Sequence, residues 1–241
     1  MTSSHPPTYR DALALLDDAA VPHLVGGAYA LRHYTGIERE TKDLDLFVRR
    51  GDVERTLAAL RAAGFETELT SAAWLAKATR DDHLIDLIFA SDNGVAVVDD
   101  LWFAHAESGA ALDRDIEFIP VEEMIWSKAF VMERHRFDGA DVTHLIRARG
   151  DRLDWERLVT RFGANWRVLL AHLVLFGFVY PRERAAVPHD VLADLVRRLE
   201  GEDATPPEPA AICRGTLLSR EQYRIDVERW GYRDARELTR T

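Results

Sequence analysis

Apolar and polar residues in the first 120 positions follow a pattern that predicts both helices and strands. Helices are predicted over residues 8–19, from the glycine pair at 26–27 to Tyr34, and over 52–63, where Gly64 ends the pattern. Strands are predicted at 23–25, 43–46, 65–69, 74–79, 83–89 and 116–119. The interval from 94 to 109 is ambiguous. This order predicts an α+β fold with a mixed β-sheet and flanking helices.

From residue 121 the spacing of apolar residues becomes helical. Helices are predicted over 121–134, 138–149, 154–162, 166–179, 188–200 and 220–230. The acidic, proline-rich stretch 201–211 predicts a linker or wrapping loop. We therefore expect three parts: a catalytic domain at 1–120, a helical region at 121–200, and a linker and tail at 201–241. Trp230 and Tyr232 suggest that this tail docks onto the rest of the chain.

Two acidic residues share one face of a predicted strand. Alternation in the Asp-Leu-Asp-Leu run at 43–46 directs Asp43 and Asp45 to one side and both leucines to the other. At roughly 4–5 Å and an effective dielectric constant of about 20, two carboxylates repel each other by a few kcal/mol. Such a pair favours a bound cation, and Mg²⁺ (or Mn²⁺) suits hard oxygen ligands and phosphate partners.

Two further features belong with this acidic pair. Gly26 and Gly27 lie where a strand meets a helix, so backbone N–H groups at a positive helix N-terminus can approach an anion without a Cβ in the way. Asp86 lies in the middle of a nearly continuous apolar strand at 83–89. A buried carboxylate is costly unless it is paired or bound to a metal. The pattern predicts a phosphate cradle beside an acidic metal site.

The whole arrangement resembles the nucleotidyltransferase superfamily, which has the DNA polymerase beta-like fold. The family pattern is a hydrophobic strand, Gly-Gly or Gly-Ser, a helix, Asp-hydrophobic-Asp, and a third carboxylate on a neighbouring strand. Gly26-Gly27, Asp43-Leu44-Asp45 and Asp86 match it. The surrounding residues look most like the bacterial minimal and AbiEii-type nucleotidyltransferases. The interval between Gly27 and Asp43 is slightly long for the polymerase-like members.

This resemblance implies roles for the matching residues. Asp43, Asp45 and Asp86 would be both the metal ligands and the catalytic residues, and Asp86 would also help to deprotonate the acceptor hydroxyl. Gly26, Gly27, Arg39, Thr41 and Lys128 would contact the nucleotide. The implied reaction moves a nucleoside monophosphate from an NTP, ATP included, to an acceptor hydroxyl and releases pyrophosphate. A solvated loop is the alternative for Arg39 and Thr41, and a surface lysine for Lys128.

Composition narrows the partners. The 31 basic and 41 acidic residues give a net charge of −10, which disfavours sequence-independent binding of long nucleic acids. The acceptor is open: a small molecule, a protein side chain or a tRNA end. One cysteine, Cys213, excludes a disulfide within the chain. The first ten residues lack the apolar core of a signal peptide, and the run 168–180 is too short to span a bilayer, so we expect a cytoplasmic location.

Two other functions fit parts of the pattern. A protein with this fold could bind a nucleotide or a partner without turnover, as a component of a toxin–antitoxin pair. A phosphatase of the haloacid dehalogenase type also uses Asp-x-Asp. Phe47 and the upstream Gly26-Gly27 pair count against the phosphatase, because that family has Thr or Val at the fifth motif position and no Gly-Gly strand before it.

Overall fold

The computed structural model describes residues 7–204 and 210–239. The chain divides into two compact units, residues 1–120 and 121–241. The first six residues lie outside the described part, as do residues 205–209 of the predicted linker. The expected subdivision of the second unit into a helical region and a tail stays a prediction.

A seven-stranded mixed sheet forms the centre of the first unit. In chain order its strands are β1 (Leu24–Val25), β2 (Asp43–Phe47), β3 (Glu66–Ser71), β4 (Leu75–Arg80), β5 (His83–Ile88), β6 (Glu107–Ala111) and β7 (Arg114–Phe118). Their order across the sheet is β3-β4-β5-β2-β1-β7-β6. β2 pairs in parallel with β5 and antiparallel with β1, so segments that are distant in sequence become neighbours.

Helices flank this sheet, and they form where apolar residues recur at the spacing of a helix. They are α1 (Pro7–Asp18), α2 (Gly27–Thr35), α3 (Val53–Ala62) and the short α4 (Asp100–Ala104). Leu13 and Leu16 of α1 are fully buried, as is Leu60 of α3, and these two helices pack against each other. The predicted α+β class with a mixed sheet and flanking helices is confirmed.

Sequence patterns missed two elements of this unit. β6 reads Glu-Ser-Gly-Ala-Ala and has no alternating large apolar residues, so periodicity gives no strand signal there. It forms because Leu112 and Asp113 adopt positive φ angles of 56° and 57° in a tight turn that returns the chain as β7. α4 has one turn only and is held by Asp99, whose side chain accepts a hydrogen bond from the Leu101 N–H (3.0 Å).

The second unit is mainly helical. Its helices are α5 (Val121–Ala129), α6 (Gly139–Arg149), α7 (Trp155–Phe162), α8 (Trp166–Val179), α9 (His189–Glu200) and α10 (Arg224–Glu228). The predicted extension of α5 to residue 134 is wrong. The chain instead turns back after Phe130, and Met132 pairs with Phe137 in an antiparallel bridge. α10 is likewise shorter than the predicted helix at 220–230.

Buried charges join α5 to α7. Glu123 is 0% exposed and accepts hydrogen bonds from Arg157 (2.6 and 2.5 Å) and from Arg161 (2.9 Å). Glu122 also pairs with Arg157 and accepts from the Asp154 N–H (2.8 Å). Buried charges are retained only where they are paired and hydrogen-bonded, as here.

The tail contacts the rest of its own unit, where the Met132 N–H donates to the Leu218 carbonyl oxygen (3.2 Å). Two-residue strands β8 (Ile212–Cys213) and β9 (Arg233–Asp234) pair in parallel, and Leu217 and Ala235 are buried. Trp230 and Tyr232 are 63% and 42% exposed, so the docking role predicted for them is wrong.

The apolar helix α8 contains a buried histidine. His172 is 1% exposed, and its Nε2–H donates to the Ala129 carbonyl oxygen (2.9 Å). Burial lowers the pKa of His172 below its ordinary value. The helical stretch Trp155–Val179 is long and apolar enough to cross a membrane by length and composition alone, and it extends well before the run 168–180 that was expected to be too short. Such a stretch is weak evidence for a span, since core helices meet the same criteria.

Candidate metal and nucleotide site

β2 presents its two acidic residues on one face, as the sequence predicts. Leu44 and Leu46 are fully buried on one side of the strand, whereas Asp43 and Asp45 are half-buried on the other. The alternation follows from the two-residue period of a strand. The core therefore fixes the direction of both carboxylates through the two leucines that alternate with them.

β5 brings the third carboxylate next to this pair. In the parallel register of β2 and β5, Asp86 lies directly opposite Asp45. One carboxylate oxygen from each of Asp43, Asp45 and Asp86 lies within 4.8 Å of the other two. Burial raises the pKa of Asp86, Lys77 opposes this shift, and Asp43 adds to it. We call these three residues the acid triad.

The acid triad fits a divalent cation with hard oxygen ligands. Asp86 Oδ1 is buried and makes no well-formed hydrogen bond within the described residues, although Lys77 Nζ lies 3.4 Å from it. Three carboxylates that converge on one point suit Mg²⁺ or Mn²⁺, which prefer oxygen donors.

The two glycines make room for side chains of β2. α2 begins at Gly27, and Gly26 alone separates it from β1. A Cβ on Gly26 would lie 2.2 Å from a ring carbon of Phe47, and a Cβ on Gly27 would lie 1.7 Å from Asp45 Oδ2. The Gly26 N–H donates to the Asp45 carbonyl oxygen (2.9 Å) and so belongs to the sheet. The Gly26 N–H is therefore not available to an anion. The predicted anion cradle is reduced to the N–H groups at the N-terminus of α2, from Gly27 onward.

Replacing Gly27 by Ala is expected to disrupt the acid triad. The added methyl would displace Asp45, and Gly27 has a φ of +55°, which costs an alanine roughly 1–2 kcal/mol. We expect binding of Mn²⁺ and nucleotide to weaken at least ~100-fold, measured by calorimetric titration.

The matched control for this change is Gly36→Ala at the end of α2. Gly36 has a φ of +72°, but a Cβ there would meet no atom within 4 Å. This variant should lose the same roughly 1–2 kcal/mol that the positive φ costs an alanine, and it should keep ligand binding. Equal ligand binding by the two variants would show that the Gly27 contact with Asp45 does not matter.

Hydrogen bonds orient Asp43 from the loop before β2. The Thr41 hydroxyl donates to Asp43 Oδ1 (2.6 Å), and the Tyr9 hydroxyl of α1 donates to the Lys42 carbonyl oxygen (3.0 Å). Thr41 thus contacts a carboxylate of the acid triad, while Arg39 is exposed in the same loop. The nucleotide contacts predicted for Arg39 and Thr41 stay predictions.

Tyr29, which the sequence did not single out, lies in the first turn of α2. Burial, together with Tyr9 and Asp43, raises the pKa of Tyr29 to about 12. Its phenol therefore stays protonated at neutral pH and can donate a hydrogen bond near the acid triad.

Lys77 of β4 is a second residue that the sequence pattern did not single out. It lies opposite Asp86 in the antiparallel register of β4 and β5, with Nζ 3.4 Å from Asp86 Oδ1. The short interval between the predicted strands at 74–79 and 83–89 contained the signal. A two-residue loop that pairs Arg80 with His83 also pairs Lys77 with Asp86.

Lys128 lies in the second unit, on α5. Its Nζ is 3.0 Å from Asp138 Oδ2 and 2.8 Å from Asp141 Oδ2, and Arg136 also contacts Asp138. Burial alone would raise the pKa of Asp138, but Arg136 and Lys128 hold it below its ordinary value. These contacts join α5 to α6. The nucleotide contact predicted for Lys128 stays a prediction.

Comparison with protein families gives one match. The model of a family described as uncharacterised nucleotidyltransferase matches residues 8–177. This match removes the phosphatase alternative, while the particular closeness to AbiEii-type proteins stays a prediction. A search of curated proteins found no match.

Several solved structures are similar at low sequence identity. The lincosamide antibiotic adenylyltransferase LnuA, with lincomycin bound, has 17% identity and a TM-score of 0.44, over 60% of this chain and 98% of that chain. ANT(2″)-Ia in complex with adenylyl-2″-tobramycin has 18% identity and a TM-score of 0.43, over 72% and 97%. JHP933 from Helicobacter pylori has 10% identity and a TM-score of 0.38, over 82% and 96%.

Proposed function

Since the chain belongs to the family of uncharacterised nucleotidyltransferases, we propose that it transfers a nucleoside monophosphate from an NTP to an acceptor hydroxyl and releases pyrophosphate. The observation that carries this proposal is the acid triad beside the N-terminus of α2. A cation site and an anion-binding helix end are the two features that a bound metal–triphosphate complex requires. A cytoplasmic location is part of the same proposal.

In this proposal the acid triad has two tasks. Asp43, Asp45 and Asp86 hold Mg²⁺ or Mn²⁺, which when bound neutralises phosphate charge and polarises the phosphorus–oxygen bonds. Asp86 also accepts the proton of the attacking hydroxyl, a role that suits a carboxylate whose pKa burial raises.

Other residues position the nucleotide in this proposal. The first turn of α2 binds phosphate oxygens through backbone N–H groups, starting at Gly27. Arg39 adds a positive charge from the loop before β2, and Thr41 holds Asp43 in its orientation. Lys128 is a further proposed contact to the nucleotide. Most of the rate enhancement comes from positioning and charge neutralisation, as in phosphoryl transfer generally.

The test is pyrophosphate release from each of the four NTPs with Mg²⁺ or Mn²⁺. Acceptors are supplied in three classes: hydroxylated small molecules, a mixture of proteins, and total tRNA. We expect release with one acceptor class, together with transfer of label from α-³²P-NTP to that acceptor. The control is a variant with both Asp43→Asn and Asp45→Asn. Nucleotide binding without release in any class would favour the non-catalytic alternative.

A further inference from the structure

Lys77 places a positive charge at the edge of the acid triad. Cross-strand partners share one face of a sheet, so the Lys77 side chain lies on the same face as Asp86 of β5 and Glu68 of β3, its partners on either side. Its Nζ is 3.4 Å from Asp86 Oδ1, the oxygen that makes no well-formed hydrogen bond. The lysine thus supplies the counter-charge of the oxygen that a metal would also use.

Lys77 has a carboxylate on either side, and it forms its ion pair with Asp86 rather than with Glu68. This preference indicates that the ion pair belongs to the site of the acid triad. Glu68 is exposed, and an ion pair with it would contribute little. Asp86 is 18% exposed and faces the charges of Asp43 and Asp45, so a cation beside it is more strongly attracted. The Lys77 side chain is itself 32% exposed, so a ligand in the site can reach part of it.

We propose that Lys77 is a positioning residue that couples metal binding to nucleotide binding in the acid triad. This inference rests on the proposed function. Without a ligand, Lys77 neutralises Asp86 and opposes the entry of a bare divalent cation. When metal and nucleotide bind together, the nucleotide phosphates replace Asp86 as the partner of the ammonium group. The metal therefore binds tightly only with the nucleotide.

The proposal gives Lys77→Met an unusual signature. Bare Mn²⁺ no longer competes with an ammonium group at Asp86, so its dissociation constant should fall about tenfold. Nucleotide affinity in the presence of Mn²⁺ should weaken about tenfold, because the phosphates lose a partner. In the wild type, nucleotide should tighten Mn²⁺ binding by roughly 10–100-fold, and in the variant this coupling should fall about tenfold, since the metal still contacts the phosphates directly.

The experiment measures free Mn²⁺ by electron paramagnetic resonance during titration of the full chain. Each titration is run with and without α,β-methylene-ATP, which resists cleavage at the α-phosphorus. If the protein prefers another base, the α,β-methylene analogue with that base is used instead. Lys77→Arg keeps the charge and should keep the coupling. Lys42→Met removes a positive charge from the exposed residue before Asp43, and it should leave the coupling unchanged.

The outcomes separate this inference from the proposed function. Opposite shifts for bare Mn²⁺ and for nucleotide in Lys77→Met, and in neither control, support the role of Lys77. Unchanged coupling in Lys77→Met overturns that role while leaving the metal site intact. If the wild type binds neither Mn²⁺ nor nucleotide, the proposed function fails. Circular dichroism establishes that each variant is folded, and Lys77→Gln replaces Lys77→Met if the latter is not.

Discussion

Replacing Asp45 by Asn is expected to reduce nucleotidyl transfer by about 10³-fold or more. Asp45 lies opposite Asp86 in the sheet and two residues from Asp43 on β2, so its loss removes a ligand that adjoins both of the others. The fold should remain, because Asn keeps the shape of Asp and relieves the repulsion among three carboxylates. We expect the thermal midpoint without metal to stay the same or rise, by the equivalent of roughly 1 kcal/mol.

Asp115→Asn provides the matched control on β7. Asp115 is exposed and lies on a different strand of the same sheet, so this change removes one negative charge away from the acid triad. Its activity should equal that of the wild type. Full pyrophosphate release by Asp45→Asn would contradict the assignment of Asp45 as a metal ligand.

Replacing Glu123 by Ala is expected to destabilise the second unit by about 3–5 kcal/mol. Glu123 is the shared acceptor of Arg157 and Arg161, whose side chains are only 13% and 10% exposed. Without Glu123, Arg157 keeps Glu122, whereas Arg161 loses the carboxylate that accepts its Nε–H at 2.9 Å. Calorimetric or denaturant unfolding measures the loss, and the transition of the second unit should shift more than that of the first.

Glu156→Ala on α7 is the control for this change. Glu156 is exposed one residue before Arg157, and its removal should cost less than about 1 kcal/mol. Similar stability of the two variants would show that the buried charge network contributes little beyond its packing.

Much of the site could be predicted from sequence because its geometry is local. The two-residue period of a strand alone directs Asp43 and Asp45 to one face, and the structure shows both leucines of the run buried behind them. The glycine pair was also recognisable, although its main steric task is to admit Phe47 and Asp45 rather than to expose both N–H groups.

Non-local features were harder to predict. The pairing of β2 with β5 depends on the whole sheet, so the register that sets Asp45 opposite Asp86 could not be derived from either strand alone. Lys77 was within reach, since the hairpin turn determines its partner. β6 lacked any periodic signal, and the end of α5 depends on the bridge between Met132 and Phe137. Such contacts override local propensity.

The most direct measurement of the central claim is a crystal structure with Mn²⁺ and a non-hydrolysable NTP analogue, recorded at a wavelength where manganese scatters anomalously. We predict an anomalous peak within about 2.0–2.3 Å of carboxylate oxygens from Asp43, Asp45 and Asp86, with the phosphates at the N-terminus of α2. A bound nucleotide with no peak at the acid triad, or with manganese held by other residues, would contradict the account.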